Sequence, residues 1–231
     1  ANKANNVLRI FKYPRRSLTS RFDNRACAVI IEWASNEISK VLKNNVPILI
    51  LTKGLAINNN KFEVLAHKME RLLKKNGTKE TNISAAGGPC LAKNLANKAH
   101  TAVVFANKDI KEVEKISKLV STDYYHISTS EDVAGVEICA AIKNIFSMAV
   151  GASQGLCDAS KSKEKNYLNT AAALMQESIY EMIIFVEKLK GKKETVIGLA
   201  GIGDLYVSAD GGRNSKMGEH LGQGMTFQEA K

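Results

Sequence analysis

The sequence predicts an α/β protein in which a doubly wound parallel sheet is followed by an all-helical domain. In the first half of the chain, short apolar runs alternate with helical patterns. Residues 46–52 are almost continuously apolar, as in parallel strands that are covered on both faces. Beyond residue 128 only helical patterns remain. We therefore expect an α/β domain at residues 1–128 and a helical domain at residues 129–231.

The strands and helices of the first domain follow from local patterns. Strands are predicted at residues 7–11, 27–33, 46–52, 82–85, 101–106 and 124–128. A helix is predicted over residues 62–75, where apolar residues recur at helical spacing before the C-cap signal Asn76-Gly77. Further helices are predicted to begin at Cys90 and at Asp109.

The second domain is predicted to open with a long helix. Ser128 and Thr129 are followed three residues later by Glu131 and Asp132, a spacing like that of a capping box. The helix is expected to run towards Val150, and a second one to cover residues 166–189.

The charge of the chain favours a small anionic ligand over nucleic acid. There are 33 Lys and Arg residues against 23 Asp and Glu residues, a formal net charge of +10. Aromatic residues make up only 6% and are not interleaved with arginines, as single-strand binding surfaces require. We therefore expect no nucleic-acid partner, and attraction of a small phosphorylated substrate instead.

Composition also bears on the compartment and on metals. The four cysteines are widely spaced, which predicts a reduced, cytoplasmic protein, and the absence of a charged and apolar leader argues against export. Residues 138–157 form an apolar run that contains Lys143 and Asn144, which predicts a buried helix and no membrane span. The four histidines are scattered, so we expect no metal site. An apolar helical domain could support a homodimer.

Lys143 is the first candidate for chemistry. It is the only charged side chain between Glu137 and Asp158, on a helix that is apolar nearly all round. Such a lysine either extends to water or occupies a polar pocket, and the adjacent Asn144 favours the pocket. Partial burial lowers the pKa of a lysine towards neutrality, where a general acid or base is most useful.

Other candidates stand beside glycines. Asp204 follows a flexible loop, Gly201-Ile202-Gly203, and Arg213 follows Gly211-Gly212 at the start of a predicted helix, which is a pattern for phosphate binding. Lys53-Gly54 and Gly87-Gly88-Pro89 follow predicted strands, at the sheet edge where ligands of open α/β sheets bind. Each of these segments, taken alone, is equally compatible with an ordinary turn.

Taken together, these segments resemble NAD(P)-dependent glycerol-3-phosphate dehydrogenase. The motifs, in order, are TKGL (52–55), GGPCLAK (87–93), EICAAIKN (137–144), GLAGIGDL (198–205) and GGRN (211–214). The resemblance extends over about residues 38–230 and implies a Rossmann-like domain followed by a helical one. It also implies an oxidoreductase that interconverts dihydroxyacetone phosphate and sn-glycerol 3-phosphate with NAD or NADP, feeding glycerophospholipid synthesis.

The resemblance implies a role for each matching residue. Lys143 is the proton donor and acceptor at the C2 oxygen, Lys53 is a second cation near substrate and cofactor, and Asp204 holds Lys143 and a substrate hydroxyl. The remaining substrate-binding residues are Gly88, Asn144, Gly212, Arg213 and Asn214. For the cofactor, the resemblance implies a contact with Ala92. It also implies that Arg213 lies near the cofactor as well as the substrate.

The sequence departs from the family pattern in several places. It contains no G-x-G-x-x-G turn for the cofactor pyrophosphate, and residues 1–6 read like the end of the helix that should follow that turn. Cys90 stands where the family usually has Ser or Thr, and Gly212 where it usually has Ser. Two explanations are open: the sequence is part of a longer chain, or the protein is a degenerate dehydrogenase that only binds. Joint retention of Lys53, Lys143, Asp204 and Arg213 favours the first.

Cofactor preference can be read from the segment after the strand predicted at residues 7–11. An acidic residue there selects NAD, whereas arginine accommodates the 2′-phosphate of NADP. The sequence offers Lys12, Arg15 and Arg16, and no acid before Asp23. Arg15 and Arg16 are therefore candidate cofactor-binding residues, and we expect NADPH to be used at least as well as NADH.

A related two-domain dehydrogenase that acts on another hydroxy acid is a second enzymatic interpretation. The GGRN segment favours a phosphorylated substrate over that alternative.

Overall fold

The computed structural model describes residues 26–42, 46–160 and 167–231. The strand predicted at residues 7–11 and the candidates Arg15 and Arg16 lie outside these ranges. The described strands are β1 (Pro47–Ile50), β2 (Leu55–Asn58), β3 (Lys61–Val64), β4 (Asn82–Gly87), β5 (Thr101–Ala106) and β6 (Tyr125–Ser130). The described helices are α1 (Ala26–Ser39), α2 (Leu65–Lys75), α3 (Ala92–Ala96), α4 (Ile110–Val120), α5 (Val133–Ala159), α6 (Tyr167–Lys188), α7 (Lys193–Val196), α8 (Asp204–Gly211), α9 (Arg213–Gly222) and α10 (Phe227–Ala230).

The main sheet has the strand order β1-β4-β5-β6. β1 pairs with β4, and β5 with β6, in parallel, as predicted. β4 and β5, however, pair antiparallel, so the expectation of an all-parallel sheet was wrong at this point. The connection between them contains only the five-residue α3, and it does not carry the chain back to the starting end of the sheet. The eleven-residue α4 does so between β5 and β6.

Helices cover both faces of this sheet, as the prediction of a doubly wound domain requires. Val104 and Ala106 of β5 pack in one core with α1, α2 and the start of α5. Val103 and Phe105 point to the other face and pack with Val113 of α4. The alternation follows from the two-residue period of side chains along a strand.

A β-hairpin replaces the beginning of the predicted helix at residues 62–75. β2 and β3 pair antiparallel, with Asn58 opposite Lys61. The two residues between them, Asn59 and Asn60, both have positive φ, as the favoured two-residue hairpin turns demand. The helix therefore begins only at Leu65, and it ends before Gly77 (φ +92°) as predicted.

The strand predicted at residues 27–33 was wrong, because this segment is the first part of helix α1. The buried residues Ile31, Ser35 and Ile38 recur at intervals of four and three, which is the helical period. A short apolar run is compatible with either structure, and the continuation of the pattern to Ile38 decides for the helix.

Helix α5 forms the centre of the helical domain. It is long and apolar enough to cross a membrane by length and composition, but 61% of its apolar window is buried inside the protein, as in a core helix. Its N-cap is Asp132, whose carboxylate accepts a hydrogen bond from the Gly135 N–H at 2.9 Å. The capping box predicted from Ser128 and Thr129 was wrong, because β6 runs on to Ser130. The proposed domain boundary at Ser128 stays a prediction.

Helices α5 and α9 run in the same direction and cross at close range. A Cβ atom on Gly151 would lie 2.0 Å from the Ser215 carbonyl oxygen, and one on Gly155 1.9 Å from that of Glu219. Only glycine allows the two backbones to approach so closely. This contact fixes where the N-terminus of α9 lies along α5.

Candidate active site

Three charged side chains from distant parts of the sequence meet at one point. The carboxylate of Asp204 accepts a hydrogen bond from Lys143 through Oδ1. Its other oxygen, Oδ2, accepts one from Lys53 at 3.0 Å. Asp204 and Lys143 are buried, with 2% and 6% of their surface exposed, whereas the side chain of Lys53 is 39% exposed. The ammonium group of Lys143 is therefore buried, whereas Lys53 is accessible to a ligand.

The fold brings each member of the cluster there separately. Lys53 follows β1 at the carboxyl end of the strand, and Lys143 lies in the middle of α5. Asp204 is the first residue of α8. It directly follows a π-helical turn, Leu199–Gly203, so the flexible loop predicted there was wrong. Single π turns occur frequently at functional sites.

Burial and neighbouring charges shift the pKa of Lys143. Desolvation lowers the pKa of Lys143, the negative charge of Asp204 opposes this, and the nearby Lys53 lowers it further. A lowered pKa makes it easier for a lysine to release its proton and favours a role in proton transfer. The arrangement is therefore suited to acid–base chemistry.

Two glycines beside this cluster have a positive φ. Gly54 follows Lys53 with φ of 148°, and Gly88 follows β4 with φ of 109°, conformations that other residues rarely adopt. A Cβ on Gly203 would lie 3.4 Å from the ring of Pro89, so the loop after β4 packs against the turn that precedes Asp204. The loop, the turn and the cluster thus form one continuous surface.

The N-terminus of α9 is a second candidate element of the site. Its N-cap residue is Gly212, which has no side chain to satisfy the first backbone N–H groups of the helix. The exposed Arg213 is the first helical residue. Free N–H groups, the helix dipole and a guanidinium together favour a phosphate group. The eight-residue α8 connects Asp204 to this end, a distance of about 12 Å along the helix.

Comparison with known proteins agrees with this geometry. Residues 27–113 match the family described as NAD-dependent glycerol-3-phosphate dehydrogenase N-terminus. Residues 132–231 match the corresponding C-terminus. The chain belongs to the NAD-dependent glycerol-3-phosphate dehydrogenase family. The fold class and the resemblance predicted from the sequence are thereby confirmed.

Individual relatives and a solved structure bear the same family name. An NADP(+)-dependent glycerol-3-phosphate dehydrogenase from Archaeoglobus fulgidus is 32% identical over 79% of this chain and 53% of its own length. A glycerol-3-phosphate dehydrogenase [NAD(P)+] from Francisella tularensis subsp. novicida is 32% identical over 91% of this chain and 60% of its own. The crystal structure of glycerol-3-phosphate dehydrogenase from Coxiella burnetii superposes with a TM-score of 0.73 at 28% identity, over 87% of this chain and 57% of the other. This chain spans little more than half the length of the relatives it matches.

The remaining predicted site residues of this dehydrogenase-family chain are distributed around the cluster. Asn144 is half-buried beside Lys143 on α5, and Asn214 is half-buried in the first turn of α9. Ala92 is exposed at the start of α3, four residues beyond Gly88. The structure joins Lys53, Lys143 and Asp204 in direct contact and places Arg213 one helix away from them. The roles assigned to all these residues stay predictions.

Sequence reasoning missed two residues near the cluster. Cys90, noted only as a departure, is an exposed residue whose thiol is partly desolvated. This desolvation raises the pKa of the thiol, while the charge of Lys53 lowers it and that of Asp204 raises it. Glu137 was read only as part of a motif, although it is a buried carboxylate with 5% exposure. A glutamate within an apolar helix is a signal that could have identified it.

A cavity of about 750 Å³ lies elsewhere, at the opposite end of β1 and β4. Its wall contains Pro47 and Asn82 at the start of those strands. Charged groups in the wall already pair with each other, as Lys108 does with Glu70 at 3.1 Å. The cavity is therefore a weaker candidate than the cluster at Asp204.

Proposed function

We propose that this chain is the catalytic part of an enzyme that interconverts dihydroxyacetone phosphate and sn-glycerol 3-phosphate with NAD(P)H. The observation that carries the proposal is the junction of Lys53, Lys143 and Asp204 at the carboxyl edge of the sheet. A degenerate protein that only binds would have no need of a buried lysine whose pKa is lowered. The matched relatives, named as dehydrogenases, support the same conclusion.

The cluster supplies the proton of the reaction. When bound, the nicotinamide supplies a hydride to the C2 carbonyl carbon of the substrate. The C2 oxygen takes the proton of the Lys143 ammonium as the carbonyl double bond is lost, and a hydroxyl results. Asp204 holds Lys143 in place through Oδ1 and Lys53 through Oδ2. In the reverse direction, the neutral amine of Lys143 accepts the hydroxyl proton.

The phosphate of the substrate is proposed to bind at the N-terminus of α9. Backbone N–H groups after Gly212 and the guanidinium of Arg213 form the clamp, with Asn214 beside them. Anchoring the phosphate there orients the carbonyl towards Lys143, so that binding energy is used to position the reacting atoms.

The described residues fit the reactive end of a dinucleotide. The side chain of Lys53, which is 39% exposed, is open to a ligand at this edge of the sheet. Lys53, Ala92 and Arg213 would hold this end. Residues for the adenosine end, Arg15 and Arg16, are proposed from the sequence alone.

We propose that NADPH is used at least as well as NADH. The basic residues after the strand predicted at 7–11 support this, as does the relative named NADP(+)-dependent. Steady-state kinetics with both cofactors test it. A preference for NADH of more than about tenfold, equivalent to roughly 1.4 kcal/mol, contradicts it.

A homodimer in the cytoplasm is also part of the proposal. Tyr180 and Ile184, one turn apart on α6, are 57% and 54% exposed and support a self-association surface. Light scattering of the full-length protein decides the oligomeric state, since a monomeric mass at micromolar concentration contradicts a dimer.

The decisive experiment measures NADPH oxidation with dihydroxyacetone phosphate in the full-length protein. Lys143→Ala should lower kcat by about two to four orders of magnitude, the usual contribution of a general acid. Lys188→Ala, which removes an exposed lysine from the last turn of α6, is the matched control and should retain activity. Absence of activity in the unmutated protein would overturn the proposed function.

A further inference from the structure

A buried carboxylate outside the catalytic cluster connects the two segments that carry its lysines. Glu137 lies on α5, six residues before Lys143, or about 9 Å along the helix axis. Its Oε2 accepts a hydrogen bond at 2.9 Å from the backbone N–H of Ala66, which is 71 residues away in the sequence. Ala66 is the second residue of α2. The contact therefore joins two elements that the chain does not connect directly.

Helix α2 depends on this contact for its N-terminal cap. Its own N-cap residue is Val64, whose side chain has no hydrogen-bond acceptor. The first N–H groups of a helix need acceptors, and a carboxylate is well suited because it also faces the positive end of the helix dipole. Glu137 thus supplies from α5 the cap that the local sequence of α2 lacks.

The capped helix is the far end of the segment that begins at Lys53. From Lys53 the chain enters the β2–β3 hairpin, which is a separate two-stranded sheet, and β3 continues directly into α2. Since the hairpin makes no ladder with the main sheet, its position depends on its two ends and on packing. One end is held by β1, and the other is held by Glu137.

Packing places the hairpin between the two domains. Val64 is buried in a core with Met182 and Val186 of α6, and the Phe62 ring lies 5.7 Å from that of Phe185 between centroids. The same core contains Ile138 and Ile142 of α5, so apolar packing also holds the hairpin against that helix. The hydrogen bond between Glu137 and Ala66 adds a directional contact at one point along α5.

We propose that Glu137 is a positioning residue that keeps Lys53 in register with Lys143 and Asp204. This inference rests on the proposed function, because it concerns the geometry of the same site. The carboxyl group of Glu137 has an oxygen that can accept the hydrogen bond from the Ala66 N–H whether it is protonated or ionised. The hydrogen bond therefore does not require a negative charge on Glu137.

The pKa of Lys143 is the quantity that tests the proposal, because two neighbouring charged groups influence it. Lys143 faces Asp204 from α8 and Lys53 from the end of β1, and it is Lys53 that lowers the pKa of Lys143 alongside burial. If Lys53 moves away, this repulsion weakens and the pKa of Lys143 rises. Because the reduction uses the ammonium form of Lys143, the alkaline limb of the pH profile of kcat should move upward. Loss of stability alone lowers the amount of active enzyme without moving that limb.

The test compares Glu137→Met, which is apolar and of similar shape, with Glu137→Gln, which retains an acceptor oxygen. We expect Glu137→Met to lower kcat by about threefold to tenfold and to shift the alkaline limb upward by about half a pH unit or more. Lys53→Met should shift it in the same direction, and Glu137→Gln should stay close to the unmutated enzyme. The matched control is Asp109→Ala, which removes the side-chain cap of α4, a hydrogen bond from Lys111 N at 2.9 Å, away from the cluster.

A second measurement needs no activity. Nuclear magnetic resonance titration of protein labelled with ¹³C at lysine Cε, assigned with Lys143→Arg, gives the pKa of Lys143 directly. A higher value in Glu137→Met than in the unmutated protein supports the inference, even if the proposed substrate is not turned over. An unchanged value and an unchanged pH profile would overturn it and leave Glu137 as a structural cap.

Discussion

Lys143 and Asp204 form a buried ion pair between α5 and α8, 61 residues apart in the sequence. Each is less than a tenth exposed, so neither charge is compensated by water. The second oxygen of Asp204 reaches Lys53, which extends the pair towards solvent. Asp204 therefore holds Lys143 and opposes the lowering of its pKa, and a substitution there should affect both.

Asp204→Asn should move the alkaline limb of the pH profile of kcat to lower pH, opposite to the upward shift expected for Glu137→Met. Without the carboxylate, burial and Lys53 act unopposed and the pKa of Lys143 falls further. We expect kcat at pH 7 to fall by about tenfold or more, and the alkaline limb to move to lower pH. Kinetics of dihydroxyacetone phosphate reduction across the pH range measure both. A profile that keeps its midpoint contradicts the role of Asp204 in setting this pKa.

Arg213→Ala should weaken substrate binding more than it slows turnover. The guanidinium at the start of α9 is assigned to the phosphate, and a charge-assisted hydrogen bond contributes roughly 1.5–3 kcal/mol. We expect KM for dihydroxyacetone phosphate to rise by about tenfold to a hundredfold. The control is Lys216→Ala, an exposed cation one turn further along α9, which should change KM little. Equal effects of the two substitutions would indicate only general attraction of an anion.

Glu137→Gln should change how stability depends on pH. Burial raises the pKa of Glu137 from its ordinary value of 4.5 to about 7, and the Ala66 N–H partly opposes this. Because the folded-state value is the higher one, the folded protein binds the extra proton between pH 4.5 and about 7. This protonation stabilises the folded state, by an amount on the order of 3 kcal/mol in total. The stabilisation is fully present below this pH window and is lost as the pH rises through it.

The glutamine variant cannot titrate, so its free energy of unfolding should vary less between pH 5 and pH 8. Urea denaturation at several pH values measures this difference. Glu187→Gln, which changes an exposed glutamate of α6, is the control and should follow the unmutated protein. A variant with the same pH dependence as the unmutated protein would show that Glu137 does not titrate in this window.

Gly155→Ala should destabilise the contact between α5 and α9. The added Cβ would lie 1.9 Å from the Glu219 carbonyl oxygen, so the two helices must separate. We expect a loss of about 2 kcal/mol or more in the free energy of unfolding and, because α9 carries the proposed phosphate site, weaker binding of the substrate phosphate. Gly211→Ala is the matched control, since its added Cβ would have no described atom within 4 Å apart from its own chain neighbours and the backbone of its own helix. Chemical denaturation distinguishes the two variants.

Local patterns predicted those elements whose signals are self-contained. The strand predicted at residues 101–106 has the bounds of β5, and Asp109 is the N-cap of α4. Such elements carry their own period and their own caps. The segment at residues 27–33 was predicted as a strand because a short apolar run fits either period, and the helical spacing of buried residues that continues to Ile38 selects the helix.

The sequence by itself determined the family to which the chain belongs, and it predicted which residues carry the chemistry. Lys53, Lys143, Asp204 and Arg213 stand out through residue type, neighbouring glycines and motif order. Their contacts were decided by tertiary structure. The bond between Lys53 and Asp204 spans 151 residues and that between Ala66 and Glu137 spans 71, and the direction of β5 depends on the path of its connection. Such contacts depend on how whole elements pack, and no short stretch of sequence encodes that packing.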